Sequence, residues 1–321
     1  MINNIEKNAL EVIDLQIKAL KKLKNSIDKS FVKSIHAILK CKSKVIICGV
    51  GKSGIIASKI AATLSSVGTP AFSISASDCS HGDLGKITNQ DVLILISYSG
   101  NTAELKNIIK YAKHNHIKLI GIVSNKKSEL YKFSDIKVLL PEVEEAGHGI
   151  VPTSSTTTQL ALGDALSIAL MKKKGFNKLD FKKVHPAGNL AQKLKTASEV
   201  MLKNNKIPFV KENLIMKNAI KILNSKKLGF LVIVNKSDFI RGIFTDGDLK
   251  RLIQKKKMFQ NIEIKKFMIK KPFLVEEDML ATDVLKKLNK KRITNVCVYN
   301  KKNKKVVTGV IHIHNLLKIL Q

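Results

Sequence analysis

The sequence predicts an α/β protein: a five-stranded parallel sheet with helices on both faces, followed by a tandem pair of smaller α+β units. Three observations point there. Short apolar runs alternate with helix-length segments as far as Leu140. A pattern of helix, turn and strand then recurs at a period of roughly 65 residues. A length of 321 residues also exceeds what one core ordinarily supports.

From Ile5 to Leu39 apolar residues recur every three or four positions (Leu10, Ile13, Ile17 and Leu20, then Phe31, Ile35 and Ile38), the signature of two amphipathic helices. Val45 to Val50 is a short continuous apolar run broken by Gly49, and a helical pattern follows from Ser53 to Leu64, as in a buried parallel strand feeding a helix. Further strands are expected near Ala71–Ile74, Val92–Ile96, Leu119–Val123 and Ile136–Leu140, with Thr102–His114 as one of the intervening helices. Such a sheet binds its ligand beyond the carboxyl ends of its strands, so the loops after Val50, Ile74, Ile96 and Leu140 are expected to meet.

The texture changes beyond Leu194. Ala219 to Val234 matches Val284 to Tyr299 in its order of helix, turn and strand, and Gly242 to Leu249 corresponds to Gly309 to Leu316. Expected boundaries are 1–195 for the first domain, 196–262 for the first repeat and 263–321 for the second.

With 44% hydrophobic and 26% charged residues the chain is too apolar to be disordered. The net charge of +32 raises the question of a nucleic-acid or anionic-membrane partner. Arginine occurs only at Arg241, Arg251 and Arg292, whereas base-edge recognition favours the planar guanidinium fork. The excess is also spread along the chain, +14 over residues 1–195 and +18 over 196–321. A solvated lysine surface is the expectation, with no specific nucleic-acid partner. Cys41, Cys48, Cys79 and Cys297 show neither a CxxC pair nor metal-ligand spacing, as in a reducing compartment. No signal-type or membrane-length apolar run is present, so a cytoplasmic location and no membrane association are expected.

Three loops carry hydroxyls or glycines at helix starts. Gly49-Val50-Gly51-Lys52-Ser53-Gly54 lies between a strand and a helix, where backbone amides and the helix N-terminus receive an anion. Its GxGxxG spacing also suits a dinucleotide, but the next strand, Phe72-Ser73-Ile74-Ser75, lacks the acidic residue that a ribose needs. Ser97-Tyr98-Ser99-Gly100-Asn101-Thr102-Ala103-Glu104 brings three hydroxyls to a helix expected to start near Thr102, and Pro152 to Thr158 opens another. A single such cluster is an ordinary cap. Three around one sheet edge point to a phosphate, with Gly51, Ser53, Ser97, Ser99, Thr102, Ser154, Ser155 and Thr156 as candidate binding residues.

These three segments resemble the motifs of sugar isomerase (SIS) domains. Together with Ser80-His81-Gly82-Asp83-Leu84-Gly85, Glu145-Ala146 and His185-Pro186, they resemble the arabinose 5-phosphate isomerase family, and the repeats look like paired cystathionine β-synthase (CBS) modules. The resemblance implies cofactor-free interconversion of D-ribulose 5-phosphate and D-arabinose 5-phosphate, feeding lipopolysaccharide synthesis, by a homotetramer whose sites are completed by neighbouring subunits. By motif position the catalytic candidates are Lys52, His81, Glu104, Glu145 and His185. Glu145 is expected as the carbon base, with Glu104 as its alternative or partner, Lys52 holding charge on the substrate, and the two histidines carrying hydroxyl protons. Thr245 and Asp248 keep the hydroxyl and carboxylate that CBS modules use on a nucleotide ribose, whereas the second copy has His312 and Asn315 there; the resemblance implies a nucleotide or sugar-nucleotide effector at the CBS pair, with Thr245 and Asp248 as candidate binding residues. His312 and His314 are placed on one strand face at period two, as a polar face and not a metal pair. Asp78, His148 and Asn189 depart from the family pattern, His148 reading as a turn. A non-catalytic sugar-phosphate sensor and an isomerase of another phosphosugar are the competing readings.

Overall fold

The computed structural model describes residues 4–186, 194–255 and 258–320. The chain divides into two compact units, residues 1–184 and 185–321. The first contains α1 (Asn4–Ser26), α2 (Lys29–Leu39), β1 (Val45–Gly49), α3 (Lys52–Ser66), β2 (Ala71–Ser75), α4 (Ala76–Cys79), β3 (Val92–Ile96), α5 (Leu105–His114), β4 (Lys118–Val123), α6 (Glu129–Phe133), β5 (Ile136–Leu139), α7 (Ser154–Lys173) and α8 (Lys178–Val184). All five strands are parallel in the order β2-β1-β3-β4-β5. Winding thus reverses between β1 and β3, the place where an open parallel sheet leaves a crevice.

Continuous apolar runs are what a doubly covered sheet requires, and every residue of β1 and β3 is buried. Alternate side chains serve opposite faces. Val45, Ile47, Val92, Ile94 and Ile96 pack with Leu23, Ile60, Leu64 and Leu166 of α1, α3 and α7. Ile46, Cys48, Leu93 and Leu95 face Leu105, Ile108 and Leu130 of α5 and α6. Burial pushes the Cys48 thiol up to about 12, so it behaves as a small apolar side chain.

At the amino edge of the sheet the buried Asp91 side chain ties β1 to β3. It accepts from the Lys44 amide (3.2 Å) and ammonium (3.2 Å) and from the Thr88 amide (2.7 Å) and hydroxyl (2.9 Å).

The second unit contains α9 (Ala197–Val200), β6 (Phe209–Lys211), α10 (Met216–Lys226), β7 (Phe230–Val234), β8 (Ile240–Thr245), α11 (Asp246–Gln254), β9 (Leu274–Glu276), α12 (Ala281–Lys291), β10 (Asn295–Asn300), β11 (Asn303–His312) and α13 (Ile313–Leu320). Both sheets, β6-β7-β8 and β9-β10-β11, have a parallel first pair and an antiparallel second. The two copies are interlaced. Ala197 and Val200 pack in the core of the second copy, while Phe259 and Ile264 pack in that of the first. Bridges Thr196–Leu280 and Ile215–Glu263 make the same exchange, so boundaries drawn linearly at 196 and 262 follow chain order and not the packed cores. A fifth apolar cluster, including Phe230, Val232, Cys297 and Val310, joins the two copies.

Among the described residues no helix is long and apolar enough to cross a membrane, and all four cysteines are free.

Burial alone would raise the Asp91 pKa, but bonds from Thr88, Ser43 and Lys44 outweigh it and hold the carboxyl below its ordinary 3.8. A depressed folded pKa means that the stabilisation is complete above 3.8 and is lost as pH falls through the folded value. Asp91→Asn is expected to cost about 2 kcal/mol at neutral pH. Urea midpoints measured across the acid range are expected to stay apart down to pH 3.8 and to converge for wild type and variant only as pH falls through the lowered Asp91 pKa.

Candidate active site

The β1–α3 turn is closed by glycines. A Cβ on Gly49 would lie 2.8 Å from the Ser53 backbone, and one on Gly54 would lie 2.8 Å from the Gly49 carbonyl oxygen, so strand and helix meet without side chains between them. Gly51, at φ +56°, is the N-cap of α3, which has no side-chain cap. Lys52 is exposed as the first residue of the helix, and Ser53 is half-buried behind it.

The turn after β3 is knitted by its own hydroxyls. Ser97 is buried, shares a 2.7 Å hydrogen bond with Thr102 and accepts from the Gly100 amide at 3.0 Å. Exposed Ser99 accepts a longer bond of 3.4 Å from the Asn101 amide. This closed turn delays the helix: the Leu105 and Lys106 amides bond only to Thr102 and Ala103. The expected start near Thr102 is therefore corrected to Leu105, and Glu104 stands at the N-cap with no capping bond. Its exposed carboxylate borders a cavity of about 440 Å³.

Gly51, Ser58, Ser73, Ser75 and Ser77 are among the other residues that line that cavity, together with apolar Val50, Ile55 and Ile74. Ser58 pairs with Ser73 at 2.9 Å and Ser75 with Ser77 at 2.7 Å. Sequence reasoning passed over these four serines, although Ser73, Ser75 and Ser77 recur at period two along and beyond β2, a signal that could have found them. His81 is exposed beyond α4, its amide bonded to the Asp78 carbonyl. The cavity thus brings together Gly51 and Glu104, whereas Lys52, Ser53, His81 and the Ser97–Thr102 turn lie outside its lining.

Glu145 occupies a different setting. Its carboxylate accepts from the amides of Thr153 (2.8 Å), Ser154 (2.8 Å) and Ser155 (3.3 Å) and from the Thr153 hydroxyl (3.2 Å). The anion site at the start of α7 is therefore filled by the chain's own carboxylate, and Ser154 and Ser155, expected on a phosphate, donate their amides to Glu145. Burial would raise its pKa, yet the bonds from Ser155 and Thr153 hold it below the ordinary 4.5. Thr156 is half-buried and donates to the Thr153 carbonyl at 2.9 Å. His148 lies between Gly147 and Gly149 with all three at positive φ, a turn as expected.

In the second unit, half-buried His185 follows α8 in the chain, and Asn189 lies outside the described residues. A cavity of about 700 Å³ between the two repeats is lined by Lys227, Thr245, Arg251, Lys271, Arg292 and His312, among others. Lys227 and Arg292 hold equivalent positions in the two copies, each in the left-handed region at φ +54° just past a helix end. Thr245 and Asp248 form a capping box on α11, and Asp248 also pairs with Arg251. Thr245 therefore borders the cavity while the Asp248 carboxylate is held by its own helix start. The period-two placement of His312 and His314 is corrected: β11 ends at His312, and His314 belongs to α13. The His312 Nδ1 accepts the His314 amide at 3.2 Å, which turns the strand into the helix and stacks the rings 4.9 Å apart. Among the described residues no group of three ligand side chains could hold a metal ion.

A SIS domain model matches residues 38–169, and a CBS domain model matches 197–255 and 264–321. The arabinose 5-phosphate isomerase KdsD of Francisella tularensis subsp. tularensis is 41% identical over 97% of this chain and 96% of its own length. The Escherichia coli K12 protein of the same name is 36% identical over 96% and 94% respectively. A solved protein of E. coli CFT073, in complex with arabinose 5-phosphate, is 37% identical with a TM-score of 0.56 and covers 58% of this chain and 100% of its own.

The Glu145 geometry predicts a structural cost. Glu145→Gln is expected to lower stability by about 1–2 kcal/mol, since a neutral amide gives up the charge-assisted bonds at the α7 start. Thermal melting of the two proteins measures this.

Proposed function

The chain belongs to the arabinose 5-phosphate isomerase family that joins a SIS domain to paired CBS domains, and on that premise we propose that it interconverts D-ribulose 5-phosphate and D-arabinose 5-phosphate through an enediol. The observation that carries the site assignment is Glu104. It is an acidic side chain without a capping bond, placed between a closed hydroxyl turn and a serine-lined cavity at the reversal point of the sheet.

Isomerisation needs one base to carry a proton between C1 and C2 and a partner for the developing enediolate oxygen. In this reading Glu104 removes the C1 proton of the ketose and returns it to C2. The starts of α3 and of the Ser97–Thr102 turn, with Gly51, Ser53, Ser99 and Thr102, take the phosphate. Lys52 stabilises charge on the enediolate, and His81 and His185 carry protons among the hydroxyls. Glu145 becomes a positioning residue, because a carboxylate saturated by backbone amides and held ionised is a weak base. Ser154, Ser155 and Thr156 then act through the order of the α7 start.

The product belongs with lipopolysaccharide synthesis in the cytoplasm. The working form is a homotetramer, a reading supported by how open Lys52, His81 and Glu104 are in a single chain. Chain order assigns 1–195 to the isomerase domain and 196–262 and 263–321 to the two modules. Their cavity takes an anionic nucleotide or sugar nucleotide. Four cationic side chains and a buried Asn295 amide oxygen without a partner support that class.

Two measurements test these assignments. By proton NMR with a panel of pentose and hexose phosphates, Glu104→Gln is expected to lower kcat about 10³-fold. Lys52→Ala is expected to lower kcat/KM, while Glu145→Gln loses stability first. Wild-type turnover by Glu104→Gln would remove Glu104 from the chemistry. In thermal-shift titrations, nucleotides are expected to raise the melting temperature of the wild type, and Arg292→Ala is expected to reduce that rise.

A further inference from the structure

The helix α1 has two apolar faces, and the folded unit uses one of them. Ala19 and Leu23 are buried, with Val12, Leu15 and Gln16 half-buried, where α1 runs along α7. Turned roughly a quarter to a third of the way round the helix from that face are Leu10, Ile13, Ile17 and Leu20, exposed at 58%, 52%, 44% and 37%. Their spacing of three, four and three residues forms one continuous stripe, the pattern of a helix-pairing seam.

The stripe is symmetric about Leu15. Leu10 and Leu20 lie equally far from that position, as do Ile13 and Ile17, and so do two exposed charges of opposite sign on the same face, Glu6 and Lys24. Charge divides the same way: the first half of α1 carries Glu6, Glu11 and Asp14 with Lys7, and the second half carries Lys18, Lys21, Lys22 and Lys24 without an acid. A surface that meets its own copy across a two-fold axis needs this arrangement, in which each residue faces its mirror position. Antiparallel alignment sets leucine on leucine, isoleucine on isoleucine and Glu6 on Lys24. Parallel alignment would set Glu6 on Glu6 and Lys24 on Lys24.

We propose that α1 is a self-pairing surface that docks antiparallel on α1 of a second copy of this chain, through Leu10, Ile13, Ile17 and Leu20, with reciprocal Glu6–Lys24 pairs at both ends. The proposal rests on the homo-oligomeric reading above and names the element that makes one of its contacts.

Sedimentation velocity of the full chain separates the two. The wild type is expected at an even multiple of the 35.6 kDa chain mass, and Ile13→Asp with Ile17→Asp is expected to halve it. Glu6→Lys alone or Lys24→Glu alone is expected to weaken association about tenfold, and the two together to restore it. A second readout is disulfide formation under diamide: the Leu10→Cys, Leu20→Cys double variant is expected to cross-link, and either single variant is not. A monomeric wild type overturns both the oligomer and this surface. An oligomer that ignores the Ile13 and Ile17 changes overturns the surface alone. Failure of the double charge reversal to restore association, or cross-linking by Leu10→Cys alone, overturns the antiparallel geometry.

Discussion

Strands β1 and β3 are apolar at every position and buried on both faces, and that coverage shapes the first unit. A parallel sheet cannot leave such strands in water, so the chain must cross from one face to the other, and the crossing reverses between β1 and β3. Beyond their carboxyl ends the helices diverge and backbone amides point into the crevice. The serine-lined cavity and Glu104 are consequences of that divergence. Asp91 holds the same two strands together at the opposite edge, through its bonds to Lys44 and Thr88.

The two carboxylates near the sheet edge differ in surroundings more than in chemistry. Glu145 is consumed by amide donors, so a helix start that would otherwise attract an anion is already neutralised. Glu104 sits where a left-handed Gly100 and the Ser97–Thr102 hydroxyl pair shorten α5, which leaves its side chain without backbone partners to cap. Local turn geometry thus gives different hydrogen-bond surroundings to two acidic residues that look equivalent in the chain.

In the second unit, duplication creates a cavity that neither copy could form alone. Each repeat contributes a cation at the left-handed end of its first long helix, Lys227 and Arg292, and interlacing of α9 and residues 259–269 locks the copies into one body. In the second copy His312 stands where the first has Thr245, and its Nδ1 is occupied by the His314 amide.

The five strands of the parallel sheet were legible along the chain, because burial on both faces of a parallel strand demands a short continuous apolar run, as in Val45–Gly49 and Val92–Ile96. Glycine and hydroxyl clusters likewise marked the loops of the site, since helix starts need those residues whatever the ligand. What could not be read along the chain was which donors each acceptor reaches. Glu145 finds Thr153 and Ser154 across a turn, His314 leaves its strand for a helix, and α9 packs with a repeat that begins far beyond it. These outcomes depend on distances between segments remote in sequence or bent back on each other, and the free energy that selects them exists only once the chain has closed around its cores.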